Sequence, residues 1–301
     1  MSRMERMAAV AHGYVDRKQY AGIEWLVEHK GRAINRGRAG VANAETGAAL
    51  PDKPIYRIYS MTKPITSVLA LILIEQGKLR LYDMLPMFNK AFAGMRVLHP
   101  DGRPVPAERF ITVDDLITHR AGFTYPFIHG DQVAAYYRDA RLLEDGHIDL
   151  DEMMARLAKL PLAFQPGSQY RYSVCTDVLA HVVEKASGMQ IGELARKELF
   201  EPLGMSDTFY QVPKDKQARV LPMYGSGDLL ALPALELSPH KLEPQDVSDF
   251  YPVDAPGLRR GGHGLFATMD DYAAFARMLL TGKAPDGRTI LSRPMLNMMR
   301  A

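Results

Sequence analysis

The chain has 301 residues, a formal net charge of +2, 47% apolar residues and 24% charged residues. This is globular composition with enough chain for a sizeable core; it excludes a disordered protein and gives no sign of a strongly basic nucleic-acid binder. The single cysteine, Cys175, excludes an internal disulfide and a cysteine-rich zinc site.

The first ten residues carry Arg3, Glu5 and Arg6 and lack the apolar stretch of a secretory signal, so a cytoplasmic location is expected. The longest strongly apolar run, 68–74, is too short to span a bilayer, and no membrane partner is expected. Residues 4–17 read as a helix. Residues 21–28 alternate apolar and polar, 29–32 form a turn, and 33–41 continue extended, which predicts a hairpin. A short extended stretch, 55–59, enters a helix over 61–76 that is apolar nearly all round and closes at Gly77. That helix is expected to be central and buried.

From 79 to 185 short helical patterns alternate with loops: 114–118, 132–141, 150–159 and 176–186. An all-helical subdomain inserted into an α/β part is the expectation. A further amphipathic helix covers 191–200. Residues 211–257 are rich in proline and polar residues and read as a long irregular segment. A helix over 270–280, begun by Thr268 or Asp270, and a last helix from about Arg293 complete the chain. The predicted organisation is therefore 1–78 as the start of the α/β domain, 79–185 as a mainly helical subdomain, and 186–301 as the return to the α/β domain.

Chemistry enters at Ser60-Met61-Thr62-Lys63. An S-x-x-K tetrad occurs readily by chance, and a second one, Ser238-Pro239-His240-Lys241, lies in a proline-rich stretch with no apolar helix after it. Context separates them. Ser60 stands where an extended run enters the buried helix, which puts Ser60 and Lys63 one turn apart on one face. A helix N-terminus also offers backbone N–H groups to a developing oxyanion. A serine hydroxyl is a poor nucleophile until a neighbour takes its proton, and a nearby lysine can do this or hold a second base in its anionic form. The competing reading is a helix cap and a surface lysine.

Tyr172-Ser173-Val174 follows Pro166-Gly167 and precedes the helix near Thr176. A tyrosine at such a corner can reach a buried site, and an ammonium beside a phenol favours the phenolate. Tyr170 competes for this role, and a packing tyrosine is the plainer alternative. The chain contains no G-x-S-x-G elbow, H-E-x-x-H, P-loop, or G-x-G-x-x-G after a strand. Arg259-Arg260 reads as a solvated basic pair.

The segment Arg57-Ile-Tyr-Ser-Met-Thr-Lys-Pro-Ile-Thr66 resembles the nucleophile segment of the serine β-lactamase-like superfamily on its class C side. Four more segments resemble it in order: Ile111-Thr-Val-Asp-Asp-Leu-Ile-Thr-His-Arg-Ala-Gly122, Pro166-Gly-Ser-Gln-Tyr-Arg-Tyr-Ser173, Phe200-Glu-Pro-Leu-Gly-Met-Ser-Asp-Thr208 and Gly261-Gly-His-Gly-Leu-Phe-Ala-Thr268. The likeness runs from about Gln19 onward and is nearest to the class C β-lactamase-like family VIII carboxylesterases.

The resemblance implies an antiparallel sheet flanked by helices, with an inserted helical subdomain. It implies an acyl-accepting Ser60, with Lys63 as its proton partner and Tyr172 as base for acylation and acid for the leaving alcohol. By their place in the matching segments it makes Tyr125 and His263 candidates to line the substrate pocket, with a packing role as the alternative for each. The β-lactamase tyrosine motif ends in asparagine; Val174 stands there, and because the esterase branch often lacks that asparagine, the departure favours esters over β-lactams. The implied function is hydrolysis of small carboxylic esters, with no metal or organic cofactor and no nucleic-acid partner. The alternatives are a β-lactam or D-alanyl peptide or other amide hydrolase of the same superfamily, or a non-catalytic fragment or binding protein.

The family's third motif, Lys-Thr-Gly or a substitute on a late strand, has no counterpart after Thr268. Thr281-Gly282-Lys283 has the wrong order, and the only tryptophan is Trp25. The expectation is a chain lacking the family's closing strands, with an open edge on the 21–41 hairpin and one oxyanion donor short. Strands built from 211–257 that rejoin the sheet would overturn it.

Overall fold

The computed structural model describes residues 3–128, 130–143, 146–225, 242–249, 251–254 and 257–300. Helix α1 (Arg3–Asp16) leads into strands β1 (Gly22–His29) and β2 (Arg32–Gly40), which pair antiparallel from Gly22 opposite Gly40 to His29 opposite Arg32. A bulge falls between Val27 and Glu28. Trp25 lies opposite Gly37, and a side chain at Gly37 would overlap its indole. The indole Nε1–H donates to Asn35 Oδ1 at 2.5 Å. The predicted hairpin is present.

Strand β3 (Tyr56–Arg57) runs into a single 3-10 turn, Tyr59–Met61, and then α2 (Thr62–Glu75). Pro64 falls in the first turn of α2, where its missing N–H costs no helical bond. The helix buries Ile65, Val68, Leu69, Leu71 and Leu73 and packs on α6 (Cys175–Ser187), whose Val178, Leu179, Val182 and Val183 are fully buried. Burying one such side chain contributes about 1.5–3 kcal/mol, so this helix pair is a main anchor of the core.

Between them lie α3 (Val113–Ile117), α4 (Gln132–Asp139) and α5 (Leu150–Leu157). One feature departs from an all-helical insertion. Strands β4 (Arg96–Leu98) and β5 (Pro104–Pro106) form a small antiparallel hairpin. After α6 the chain forms α7 (Ile191–Ala195), a π-turn over Arg196–Phe200 and α8 (Glu201–Leu203), so the predicted helix runs on past residue 200.

The segment 211–257 is less irregular than its composition suggests. It contains a 3-10 helix at Lys214–Arg219 and an antiparallel pair, β6 (Met223–Gly225) with β7 (Glu243–Gln245). That pair does not join β1 and β2, which form a two-stranded sheet among the described residues. The tetrad Ser238–Lys241 lies outside the described residues.

Strand β8 (Phe266–Ala267) pairs with β3, Tyr56 opposite Ala267 and Arg57 opposite Phe266. The bond from Ile58 N to Leu265 O (3.0 Å) extends this contact. It draws the 260–265 loop over the start of α2. Thr268 then caps α9 (Met269–Thr281), accepting from Asp271 N, and α10 (Arg293–Arg300) ends the described chain. Among the described residues no helix is long and apolar enough to cross a membrane.

Candidate active site

Ser60 sits in the 3-10 turn at the mouth of α2 and is exposed. Its neighbour Tyr59 has φ 45°, a left-handed conformation that costs a bulky residue about 1–3 kcal/mol. The turn presents the Ser60 hydroxyl on the side where three other segments converge.

Lys63, one helical turn on and 9% exposed, donates to Ser60 Oγ at 3.1 Å. It also donates to Gly262 O at 2.7 Å. The Tyr172 hydroxyl donates to Ser60 Oγ at 2.6 Å. The Lys63 ammonium lies 4.6 Å from the Tyr172 ring centroid, so positive charge stands beside the phenol. Ser60, Lys63 and Tyr172 are thus brought into mutual contact, whereas Tyr170 is 68% exposed.

Tyr125 and His263 occupy different places. Tyr125 is buried behind the pair, its ring 5.4 Å from that of Tyr172 and 4.7 Å from Phe127. Lys63 Nζ lies 5.4 Å from its centroid. Burial, followed by the nearby Asp177 carboxylate, pushes the Tyr125 phenol well above its ordinary range, so it stays protonated. His263 packs in an aromatic group beside the Tyr59–Met61 turn, 4.2 Å from Tyr251 and 5.0 Å from Tyr59 between ring centroids.

The Lys63 acceptor is held by Asp177, which no motif in the sequence marks. Asp177, in the first turn of α6, is fully buried and pairs with Arg260, which is 4% exposed. Their contacts are Nε to Oδ1 at 3.2 Å and Nη2 to Oδ2 at 3.3 Å. Arg260 is therefore a buried ion-pair partner, contrary to the solvated pair read from the sequence. Asp177 Oδ1 also accepts the Gly262 N–H at 2.9 Å. Along the same stretch, Tyr210 donates to Arg260 O at 3.0 Å and Thr66 to Gly261 O at 2.8 Å.

This close packing leaves little room for a side chain. A methyl on Gly261 would overlap the Thr176 carbonyl, and one on Gly262 would lie 3.0 Å from Asp177 Oδ1 and 3.1 Å from the Tyr125 hydroxyl. The pattern Gly261-Gly262 after two arginines was visible in the sequence; its partner across the fold was not.

A serine hydroxyl touched by an ammonium and a phenol, at a solvent-open turn, can be deprotonated and can attack an electrophilic carbon. Among the described residues no three His, Cys, Asp or Glu side chains converge as a metal-ligand set.

Known proteins share this architecture. The chain is 31% identical over 285 residues to Protein Rv1367c of Mycobacterium tuberculosis, a match covering 93% of this chain and 67% of the relative. It is 32% identical over 210 residues to Esterase EstB of Burkholderia gladioli, covering 67% of this chain and 50% of that protein. The chain thus spans between half and two thirds of the length of these relatives. Among solved structures, EstCE1, described as a hydrolase with promiscuous acyltransferase activity, superposes with a TM-score of 0.80 at 24% identity, over 98% of this chain and 76% of that one. The fold is of the β-lactamase/transpeptidase type. The family model described as Beta-lactamase matches residues 7–300, and the chain belongs to that family.

Proposed function

We propose that the chain is a serine hydrolase that cleaves small carboxylic esters through an acyl-enzyme on Ser60. The observation that carries this reading is the double contact on Ser60 Oγ, from Tyr172 at 2.6 Å and Lys63 at 3.1 Å. The esterase and hydrolase names of the relatives support it, as does the buried apolar Val174 two residues after Tyr172.

Tyr172, as phenolate, takes the Ser60 proton while Oγ attacks the ester carbonyl carbon. The Lys63 ammonium, held by Gly262 O, balances the negative charge on the phenol oxygen. The tetrahedral intermediate collapses with loss of the alkoxide, and Tyr172 returns its proton to that oxygen, releasing the alcohol. Water then attacks the acyl carbon while Tyr172 takes its proton; as the intermediate collapses and the acid departs, Tyr172 passes that proton to the leaving Ser60 Oγ and is again the phenolate. An alcohol in place of water gives acyl transfer by the same steps.

The test is intact mass after a fluorophosphonate probe, on the wild-type chain and on Ser60→Ala, beside hydrolysis of a short-chain aryl ester. One adduct, lost in Ser60→Ala, together with turnover is the expected result. A folded wild-type chain with neither adduct nor turnover overturns the reading.

A further inference from the structure

Tyr172 needs more than an ammonium beside it: its phenol must stay within reach of Ser60 Oγ. The chain around it is irregular, lying between Pro166-Gly167 and the start of α6. His119 contacts Tyr172 and the residues on both sides of it.

His119 follows the C-cap of α3, where Arg120 N donates to Asp115 O at 2.7 Å. At this position its φ is 55°. Glycine or asparagine normally takes such a left-handed site after a helix, because a β-carbon there costs about 1–2 kcal/mol. A histidine carries that cost here, and its groups contact the chain on both sides of Tyr172. Its carbonyl accepts the Arg171 N–H at 2.9 Å. Its Nδ1 accepts the Ser173 N–H at 3.1 Å. Its ring stacks on the Tyr172 ring, with centroids 5.1 Å apart and planes inclined by 28°.

The tautomer follows from these contacts. Nδ1 is an acceptor, so the proton sits on Nε2, which faces Thr176 Oγ1 at 3.4 Å. Burial, and then the Lys63 ammonium, hold the imidazole down at about 4, so the ring is neutral at ordinary pH.

We propose that His119 is the positioning residue of Tyr172: its carbonyl and Nδ1 grip the residues on either side and thereby hold the phenol over Ser60, with the imidazole packed against the phenol ring. His119 does not touch Ser60; it acts through the tyrosine. The proposal rests on the serine-hydrolase reading.

The test compares wild type with His119→Ala, His119→Phe and His119→Asn, each alone and combined with Tyr172→Phe. The readouts are kcat and KM for the aryl ester and the rate of phosphonylation of Ser60. A misplacement of about 1 Å can cost about 10²-fold, so His119→Ala and His119→Phe should lose about 10–100-fold in kcat with KM little changed. His119→Asn keeps an acceptor for Ser173 N–H and tolerates positive φ, and should stay within about fivefold of wild type. In the Tyr172→Phe background the same changes should cost nothing further in phosphonylation rate, because the group they position is gone.

Equal losses with and without the Tyr172 hydroxyl, or full activity in His119→Phe, overturn the proposal. Should His119→Ala fail to fold, the ordering of His119→Phe against His119→Asn decides it. A wild-type chain that is neither labelled nor active overturns the hydrolase reading, and the positioning role falls with it. An active wild type indifferent to His119 overturns the positioning role alone.

Discussion

Asp177 Oδ1 accepts the N–H of Gly262 at 2.9 Å, and the carbonyl of that same glycine accepts Lys63 Nζ at 2.7 Å. A buried carboxylate on α6 thereby reaches α2 through one residue of a loop. Arg260 neutralises that carboxylate from the same loop. In the proposed reaction, holding the acceptor in advance means that Lys63 needs no rearrangement as charge develops at Ser60.

Removing one member of this ion pair leaves a buried charge uncompensated. Asp177→Ala is expected to lower folding stability by about 3–5 kcal/mol, the usual cost of breaking a buried pair. Urea unfolding checks this. Asp177→Asn keeps the oxygen facing Gly262 N–H and should retain more Ser60 labelling per folded molecule than Asp177→Ala.

The two groups that donate to Ser60 Oγ should separate cleanly from Tyr170. Tyr172→Phe and Lys63→Met are expected to reduce ester hydrolysis by about 10²–10⁴-fold, the usual range for a general acid or base. Tyr170→Phe, at an exposed side chain, should leave it near the wild-type rate. Steady-state kinetics on a short-chain aryl ester measures all three.

The glycine pair offers a graded test of packing. Gly261→Ala drives a methyl into the Thr176 carbonyl, a backbone atom that cannot swing aside, whereas Gly262→Ala meets side-chain atoms at 3.0 and 3.1 Å. Overpacking of this kind costs about 1–3 kcal/mol. Gly261→Ala should show the larger fall in Tm. Gly262→Ala should fall less in Tm yet lose hydrolysis, because it displaces the Lys63 acceptor.

Acid should weaken the fold through two histidines. Burial holds His119 and His181 at about 4, below their ordinary 6.5. Between those values the unfolded chain binds more protons at these sites than the folded one. Their contribution is therefore complete above pH 6.5 and is lost as pH falls towards 4. Asp271 and Glu184, raised by burial, act in the opposite sense. The diagnostic is thus a difference: urea midpoints at pH 7.5 and pH 5 should differ less in His119→Asn than in wild type.

Ser60, Lys63 and Tyr172 were legible because two of them share a helical turn and all three lie in segments that resemble a family. Asp177 and Arg260 are 83 residues apart, and no local pattern joins them. An Arg-Arg dipeptide carries the composition of a surface, and only the fold reveals that one of the two is buried. His119 lies inside the family-like segment 111–122, but its left-handed backbone cannot be read from spacing. The β4–β5 hairpin escaped because its strands are three residues long and β5 contains Pro104 and Pro106, which lack ladder donors. The helix read as ending near Phe200 continues because a π-turn carries it into Glu201–Leu203. The α2 and α6 helices, by contrast, follow directly from long apolar patterns.

The chain has one tryptophan, and its indole lies across Gly37 within the β1–β2 pair, bonded to Asn35. Intrinsic emission therefore reports on that hairpin, while covalent labelling reports on Ser60. Loss of the two signals at different denaturant concentrations would show that the edge of the molecule and its reactive centre melt as separate cooperative units.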